Sequence, residues 1–213
     1  MHRVRGVRAT LATVDRYQPA RLLLLLAGCV VLGIGVGLLL TADLGSDGYS
    51  TLVNGLSRAT GVSFFWCNLA VSAAFLVLAA ARGLLPDVGT VVQVVVVGVT
   101  VSAVLAVLGT PDPWTLRSAV LVVAFPVLAI GIAAYLGSNL GAGPAEAAAL
   151  AWDPPLPFRW SYSAVQGGGA VVGWLLGAAI GPGTVAVVLL LGPAVDLAAR
   201  TMRLNVTQGR AEA

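Results

Sequence analysis

The sequence predicts an all-α polytopic membrane protein. It is expected to have about six transmembrane helices in two inverted three-helix repeats, each with a short amphipathic or re-entrant helix after its first span. Of its 213 residues, 58% are hydrophobic and only 10% are charged, with a mean hydropathy of +0.94. This leaves too few polar residues to cover a soluble globule, which excludes a water-soluble enzyme. Long uncharged runs recur along the chain, and the pattern of the first half returns in the second.

The predicted spans follow from uncharged runs of roughly 20 residues or more. The first run begins after Arg21 and, at 21 residues, is longer than a signal-peptide core of about 7 to 15 residues, so we interpret it as a retained span. The last run is too long for one span, and Gly181-Pro182-Gly183 divides it. The predicted spans are residues 22–42, 59–81, 88–111, 118–145, 161–180 and 183–200.

The distribution of charge predicts the orientation. All twelve basic residues are Arg, and only Arg58 and Arg117 lie on one predicted face, whereas the other ten lie on the opposite face. By the positive-inside rule, we expect a multi-pass protein of the cell (inner/plasma) membrane with both termini in the cytoplasm. The expected segments are a cytoplasmic Arg-rich arm at 1–20, a first transmembrane repeat at 21–110, a second at 115–200 and a cytoplasmic tail at 201–213.

An internal repeat is the most informative feature of the chain. Five of the twelve residues at positions 34–45 recur 96 residues later, and Gly89-Thr90-Val91 recurs as Gly183-Thr184-Val185 at an offset of 94. Each half contains three predicted spans, and because three is odd, the second half must enter the membrane inverted. The helix-start and packing motifs of the two halves are Gly45, Gly89, Thr90, Gly141, Pro144, Gly183 and Thr184.

A short amphipathic helix is expected in each half. Residues 49, 52, 53 and 56 have helical spacing, and the spacing recurs at 145, 148, 149 and 152 after Gly143-Pro144, a helix-start signal. Helix N-termini expose unpaired N–H groups and a positive dipole end. Two such ends approaching from opposite faces would frame one site for an anionic or polar solute. Alternatively, both helices lie in the membrane interface and seal the loops.

Seven polar residues are the candidate substrate-binding residues: Asp43, Asp47, Asn139, Glu146, Gln93, Asn68 and Gln166. The four at the repeated turns are also suited to capping helices, and the two roles can coexist. The three amides inside the spans are more readily explained by hydrogen bonds between helices. Asp196 in the last span is best explained by an i, i+4 pair with Arg200.

The residue types argue against catalysis. His2 is the only histidine, so no Ser-His or Cys-His pair is available within the spans, and Cys29 and Cys67 lie in apolar runs. We expect no enzymatic activity, no cofactor and no metal site. The expected partners are the lipid bilayer and an unidentified small solute, without nucleic acid. With only about 100 residues per half, a homodimer is also compatible with the sequence.

Four segments resemble a known family: the early Leu44-Gly45 turn, the run from Gly141 to Glu146, the run from Gly173 to Thr184, and Gly192-Pro193. With these segments, roughly residues 22 to 200 resemble the YczE/YyaS/YitT-type bacterial integral membrane proteins. The chain departs from that family at Gly48, where Pro is frequent, at Ser50, where an acid is frequent, and at Glu146, where Asp stands. The resemblance implies a membrane protein of a kind usually described as a transporter, with some members linked to biosynthetic regulation.

Two functions are therefore expected. The first is a small-solute transporter or permease whose inverted repeats move around a midplane site. The alternative is a non-transporting membrane scaffold or regulator that binds a membrane or cytoplasmic partner through its Arg-rich arm and tail.

Overall fold

The computed structural model describes residues 18–152, 155–156 and 158–204, and within these ranges the chain forms eight helices. The helices are α1 Pro19–Ala42, α2 Gly48–Thr60, α3 Phe64–Ala80, α4 Val88–Val107, α5 Trp114–Gly137, α6 Pro144–Leu150, α7 Phe158–Leu175 and α8 Pro182–Thr201. Four of them, α1, α4, α5 and α8, are long and apolar enough to cross a membrane. Four such helices indicate a membrane protein. An α-helix satisfies its own backbone hydrogen bonds and can therefore lie in lipid.

Two further predicted spans correspond to α3 and α7. The apolar helix α3 has 17 residues, and α7, with 18 residues, is not among the helices apolar enough to qualify. For both helices, membrane crossing stays a prediction, as do the inverted arrangement and the domain boundaries. Most of the expected cytoplasmic arm and tail lies outside the described residues.

The repeated Asx-Leu-Gly turn has a similar backbone in both halves. Asp43 follows α1 with φ 51°, and Asn139 follows α5 with φ 55°. Asp and Asn tolerate this left-handed conformation better than other side chains do, and Gly45 and Gly141 adopt positive φ two residues later. The chain therefore turns sharply after each long helix and enters a short one.

Helices α1 and α5 pack backbone against backbone at the centre of the fold. The facing pairs are Gly28 with Tyr135, Leu32 with Gly131, and Gly35 with Leu128. The order of these pairs shows that the two helices run antiparallel. A methyl group added at Gly131 would lie 2.3 Å from the Leu32 backbone nitrogen, so only glycine permits this approach.

The remaining helices pack around this pair in a repeated pattern. Helix α4 packs on α1 as α8 packs on α5, and α2 packs on α7 as α6 packs on α3. The predicted short helices are present as α2 and α6, although α6 ends at Leu150. The prediction that Trp152 belongs to the second helical stripe is wrong, because Trp152 follows the helix end and its side chain is 46% exposed.

We expect the substitution Gly131→Ala to lower the free energy of unfolding by about 1 to 3 kcal/mol, because the added methyl group meets backbone atoms of α1 that cannot move aside. Thermal unfolding of the purified protein in detergent measures the effect. The matched control is Gly168→Ala in α7, where no atom lies within 4 Å of the added methyl group. Equal melting temperatures for the two variants would contradict the close approach of α1 and α5.

Candidate solute-binding site

A cavity of about 80 Å³ lies beside the first turns of α2 and α6. This space is sufficient for a few water molecules or a small solute. All eight described helices or their caps contribute to its wall. The polar lining residues are Asp47, Tyr49, Ser50, Asn68, Gln93, Tyr135, Glu146, Tyr162 and Gln166. The apolar lining residues are Leu32, Val36, Phe64, Val97, Leu128, Ile132, Pro144, Ala145 and Leu191.

Five of the seven candidate substrate-binding residues line this one cavity. Asp47, Asn68 and Gln93 come from the first half of the chain, and Glu146 and Gln166 come from the second half. The fold thus brings together side chains that are up to about 120 positions apart in the sequence. Their role in binding stays a prediction.

Asp43 and Asn139 lie outside this cavity. Asp43 accepts hydrogen bonds from Arg58 at 2.6 Å and from Arg117 at 3.2 Å, and Arg117 also donates to the Ala42 carbonyl oxygen at 2.8 Å. Asn139 is exposed at the corresponding turn after α5. The left-handed backbone at both positions directs the chain away from the long helix before the short helix begins, so these residues shape the turns.

Asp47 caps α2. Its Oδ2 atom accepts a hydrogen bond from the Ser50 backbone N–H at 2.9 Å, as predicted for a capping residue. Burial raises the pKa of the Asp47 carboxyl group, because desolvation disfavours the charged form, and the hydrogen bonds from Ser50 oppose this shift.

Glu146 lies in the first turn of α6. Burial raises the pKa of its carboxyl group, and the nearby charge of Asp47 raises it further. The neighbouring Tyr162 hydroxyl group lowers this pKa and partly offsets these effects. The cavity thus holds two half-buried carboxyl groups.

A chain of hydrogen bonds leads from α2 to Tyr162, which neighbours Glu146 in α6. The Tyr49 backbone N–H in α2 donates to Gln166 Oε1 at 3.1 Å, and Gln166 Nε2 donates to the Tyr162 hydroxyl oxygen at 2.8 Å. Tyr162 neighbours Glu146 in α6 and favours the charged form of its carboxyl group. Gln166 is therefore both a cavity-lining residue and a link between helices, as its position in a span indicates.

Asn68 acts mainly between helices. Its Nδ2 atom donates to the Val94 carbonyl oxygen in α4 at 2.9 Å, and its Oδ1 atom accepts the Tyr49 hydroxyl proton at 2.9 Å. The Tyr49 hydroxyl also lies 2.7 Å from Ser72 Oγ. These bonds tie α2, α3 and α4 together beside the cavity, which supports the interhelical interpretation of Asn68.

Three polar atoms surround Gly143, the residue before α6. A methyl group added there would lie 2.6 Å from Glu146 Oε2, 3.2 Å from Gln93 Nε2 and 3.4 Å from the Tyr135 hydroxyl oxygen. Tyr135 is only 1% exposed, and its hydroxyl has no hydrogen-bond partner among the described residues. The Gly143 backbone amide lies near the Tyr135 hydroxyl oxygen but does not form a hydrogen bond with it.

Sequence reasoning missed the three cavity tyrosines, Tyr49, Tyr135 and Tyr162, as polar groups of the site. Tyr135 and Tyr162 lie in uncharged runs, and Tyr49 contributes to the sequence-based prediction only as part of the helical spacing at 49, 52, 53 and 56. A tyrosine in such a run is a usable signal, because a buried hydroxyl group needs a hydrogen-bond partner.

The repeated glycine motifs join the two halves. The Leu44 carbonyl oxygen accepts the Gly183 N–H at 2.8 Å, and the Leu140 carbonyl oxygen accepts the Gly89 N–H, also at 2.8 Å. Thr90 Oγ1 donates to the Ala142 carbonyl oxygen at 2.7 Å. The remaining predicted motif residues lie at the same contacts: Gly45 against Thr184, Gly141 against Thr90, and Pro144 at the first position of α6.

Residues 19–200 match a family described as a family of unknown function, DUF6198, and the chain belongs to this family. The chain is also similar to an uncharacterized protein of Haemophilus influenzae, with 26% identity over 175 residues that cover 81% of this chain and 80% of the relative. No solved structure matches the chain. The resemblance to the YczE-type family stays a prediction.

The tyrosines give a matched test of the site. We expect Tyr49→Phe to lower the free energy of unfolding by about 1 to 3 kcal/mol, because it leaves buried Asn68 and Ser72 without their shared partner. Tyr135→Phe removes a hydroxyl without a partner and should leave stability equal or slightly higher. Thermal unfolding in detergent compares the two. A larger loss for Tyr135→Phe than for Tyr49→Phe would contradict the hydrogen-bond assignment.

Proposed function

We propose that the protein is a small-solute transporter or permease of the inner membrane, in which two inverted three-span repeats move around the cavity. The observation that carries the proposal is the origin of the polar lining. Carboxyl and amide groups of both halves face one buried space beside the two short helices. A solute held there contacts both halves, so its binding can be coupled to their relative movement.

The contacts between α1 and α5 support the inverted arrangement. The pair Leu32 and Gly131 becomes the pair Leu128 and Gly35 when each residue is exchanged for its equivalent 96 positions away. Because α1 and α5 are antiparallel, a two-fold axis perpendicular to both helices relates these pairs. Such an axis lies in the membrane plane when the helices cross the membrane.

The hydrogen bonds between the halves support the same arrangement. The turn after α1 binds the start of α8, and the turn after α5 binds the start of α4. In the proposed topology, the first pair lies on the outer side and the second pair on the cytoplasmic side. Each predicted short helix then begins from an opposite face, as alternating access around a central site requires.

The transport proposal assigns binding, not catalysis, to this site. The polar lining consists of carboxyl, amide and hydroxyl groups, and within the described residues none of them is a histidine or cysteine. Binding and release of a solute need only hydrogen bonds and charge, which these groups supply.

The topology has a direct test. We expect a membrane-impermeant maleimide to label Thr110→Cys from outside in intact spheroplasts, and to label Leu85→Cys only after permeabilisation, because α4 lies between the two positions. Both positions are exposed, and the unsubstituted chain, whose Cys29 and Cys67 are buried, is the control. Labelling of both sites from the same side would contradict the proposed span α4.

Transport has a separate test. Proteoliposomes should take up at least one solute of a panel of amines, amino acids, monocarboxylates and sugars above the level of empty liposomes. We expect Asp47→Asn, which keeps the helix cap, and Glu146→Gln to lower this uptake about tenfold or more. Asp196→Asn is the matched control, since its carboxylate is 65% exposed beside Arg200.

Two results would refute the transport proposal. The first is uptake equal to that of empty liposomes for the whole panel. The second is an equal loss of uptake in Asp196→Asn and Glu146→Gln, since the cavity would then have no special role.

A further inference from the structure

The charges of the cavity wall are all of one sign. Asp47 and Glu146 supply two carboxyl groups, and no lining residue in the described part of the chain is basic. Arg58 and Arg117 pair with Asp43, outside the cavity. Two half-buried carboxyl groups, with no basic residue among the described residues of the cavity wall, either bind protons or bind a cation.

A second, independent feature points to a ligand. The Tyr135 hydroxyl is buried, lines the cavity and has no hydrogen-bond partner among the described residues. A buried polar group without a partner costs free energy unless a bound molecule satisfies it. The oxygen lies on the same side of Gly143 as Glu146 Oε2, so a single group placed between them can contact both.

Half of the lining residues are apolar. Leu32, Val36 and Phe64 face the polar groups of the short helices, together with apolar side chains of α4, α5 and α8. A metal ion requires oxygen ligands on several sides, whereas an organic cation can place its carbon atoms against such a wall. The volume of about 80 Å³ limits the ligand to a few heavy atoms.

We propose that the cavity binds a small protonated amine, whose ammonium group pairs with Glu146 and donates a hydrogen bond to the Tyr135 hydroxyl oxygen. This inference rests on the proposed function only in taking the amine as the transported solute. Helix N-termini alone would favour an anionic solute. The negative charge of the two carboxyl groups outweighs the partial positive charge of the helix ends, so a cation is favoured instead.

The protonation of Glu146 governs this binding. The titratable groups that face it are Asp47 and Tyr49 on α2, Tyr135 on α5 and Tyr162 on α7, whereas Gln93 and Asn68 contribute no charge. Since burial raises the pKa of Glu146, affinity for the amine falls as the pH drops through that raised value. One proton is released for each ammonium group that pairs with the protonated carboxyl group.

The test measures the melting temperature of the full chain in detergent against increasing ethylammonium chloride. Sodium acetate, ethanol and sodium chloride serve as anionic, neutral and inorganic comparisons. We expect only ethylammonium to raise the melting temperature. Glu146→Gln should weaken binding at least about 100-fold, and Tyr135→Phe about tenfold, whereas Asp196→Asn should bind as the unsubstituted chain does.

The pH dependence separates binding from a structural role. Ethylammonium affinity in the unsubstituted chain should fall about tenfold per pH unit below the pKa of Glu146, and the weak binding that remains in Glu146→Gln should lose this dependence. Tyr135→Phe is expected to fold normally, because its hydroxyl group has no partner. This variant therefore keeps the test decisive if Glu146→Gln fails to fold.

Several results would overturn the inference. They are stabilisation by acetate, equal stabilisation by sodium and ethylammonium, no stabilisation by ethylammonium, or ethylammonium binding unchanged in both site variants. The transport proposal fails in a different way. Ethylammonium binding without any uptake would refute transport and keep the amine site, whereas uptake of another solute without ethylammonium binding would refute the amine site and keep transport.

Discussion

The close contact between α1 and α5 is the constraint on which the other helices depend. Gly28, Gly35 and Gly131 bring the two backbones together without intervening side chains. In lipid, helix association gains little from the hydrophobic effect, so close van der Waals contact along such a surface provides the main attraction. Helices α4 and α8 then pack on α1 and α5, respectively, and the short helices α2 and α6 pack on α7 and α3.

The helical elements could be predicted because they depend on local signals. Apolar runs, Pro19 and Pro182 at helix starts, and the left-handed turns at Asp43 and Asn139 all act over a few residues. The end of α6 could not be predicted in this way. The alanine-rich spacing continues to Trp152, and the stop signal at Pro154 places the helix end only to within a few residues of Leu150.

The site could be predicted in part. An acid or amide in an apolar segment is costly in lipid, which correctly directs Gln93, Glu146 and Gln166 to the interior. The same rule does not distinguish a turn residue that faces outward, and Asp43 and Asn139 were therefore grouped with the cavity residues. Which side of a turn a side chain faces depends on the backbone dihedral angles and on distant partners, and the one-dimensional sequence gives neither.

The hydrogen-bond chain through Gln166 and Tyr162 makes the two short helices electrically dependent on each other. Hydrogen bonds in a medium of low polarity polarise their neighbours. The charge state of Glu146 therefore changes the polarity of the neighbouring Tyr162 hydroxyl group. Through Gln166, it also changes the strength of the hydrogen bond that the Tyr49 backbone amide donates. The ionisation of Glu146 in the second half thus changes the polarity of the first turn of α2 in the first half. This effect needs no movement of the long helices.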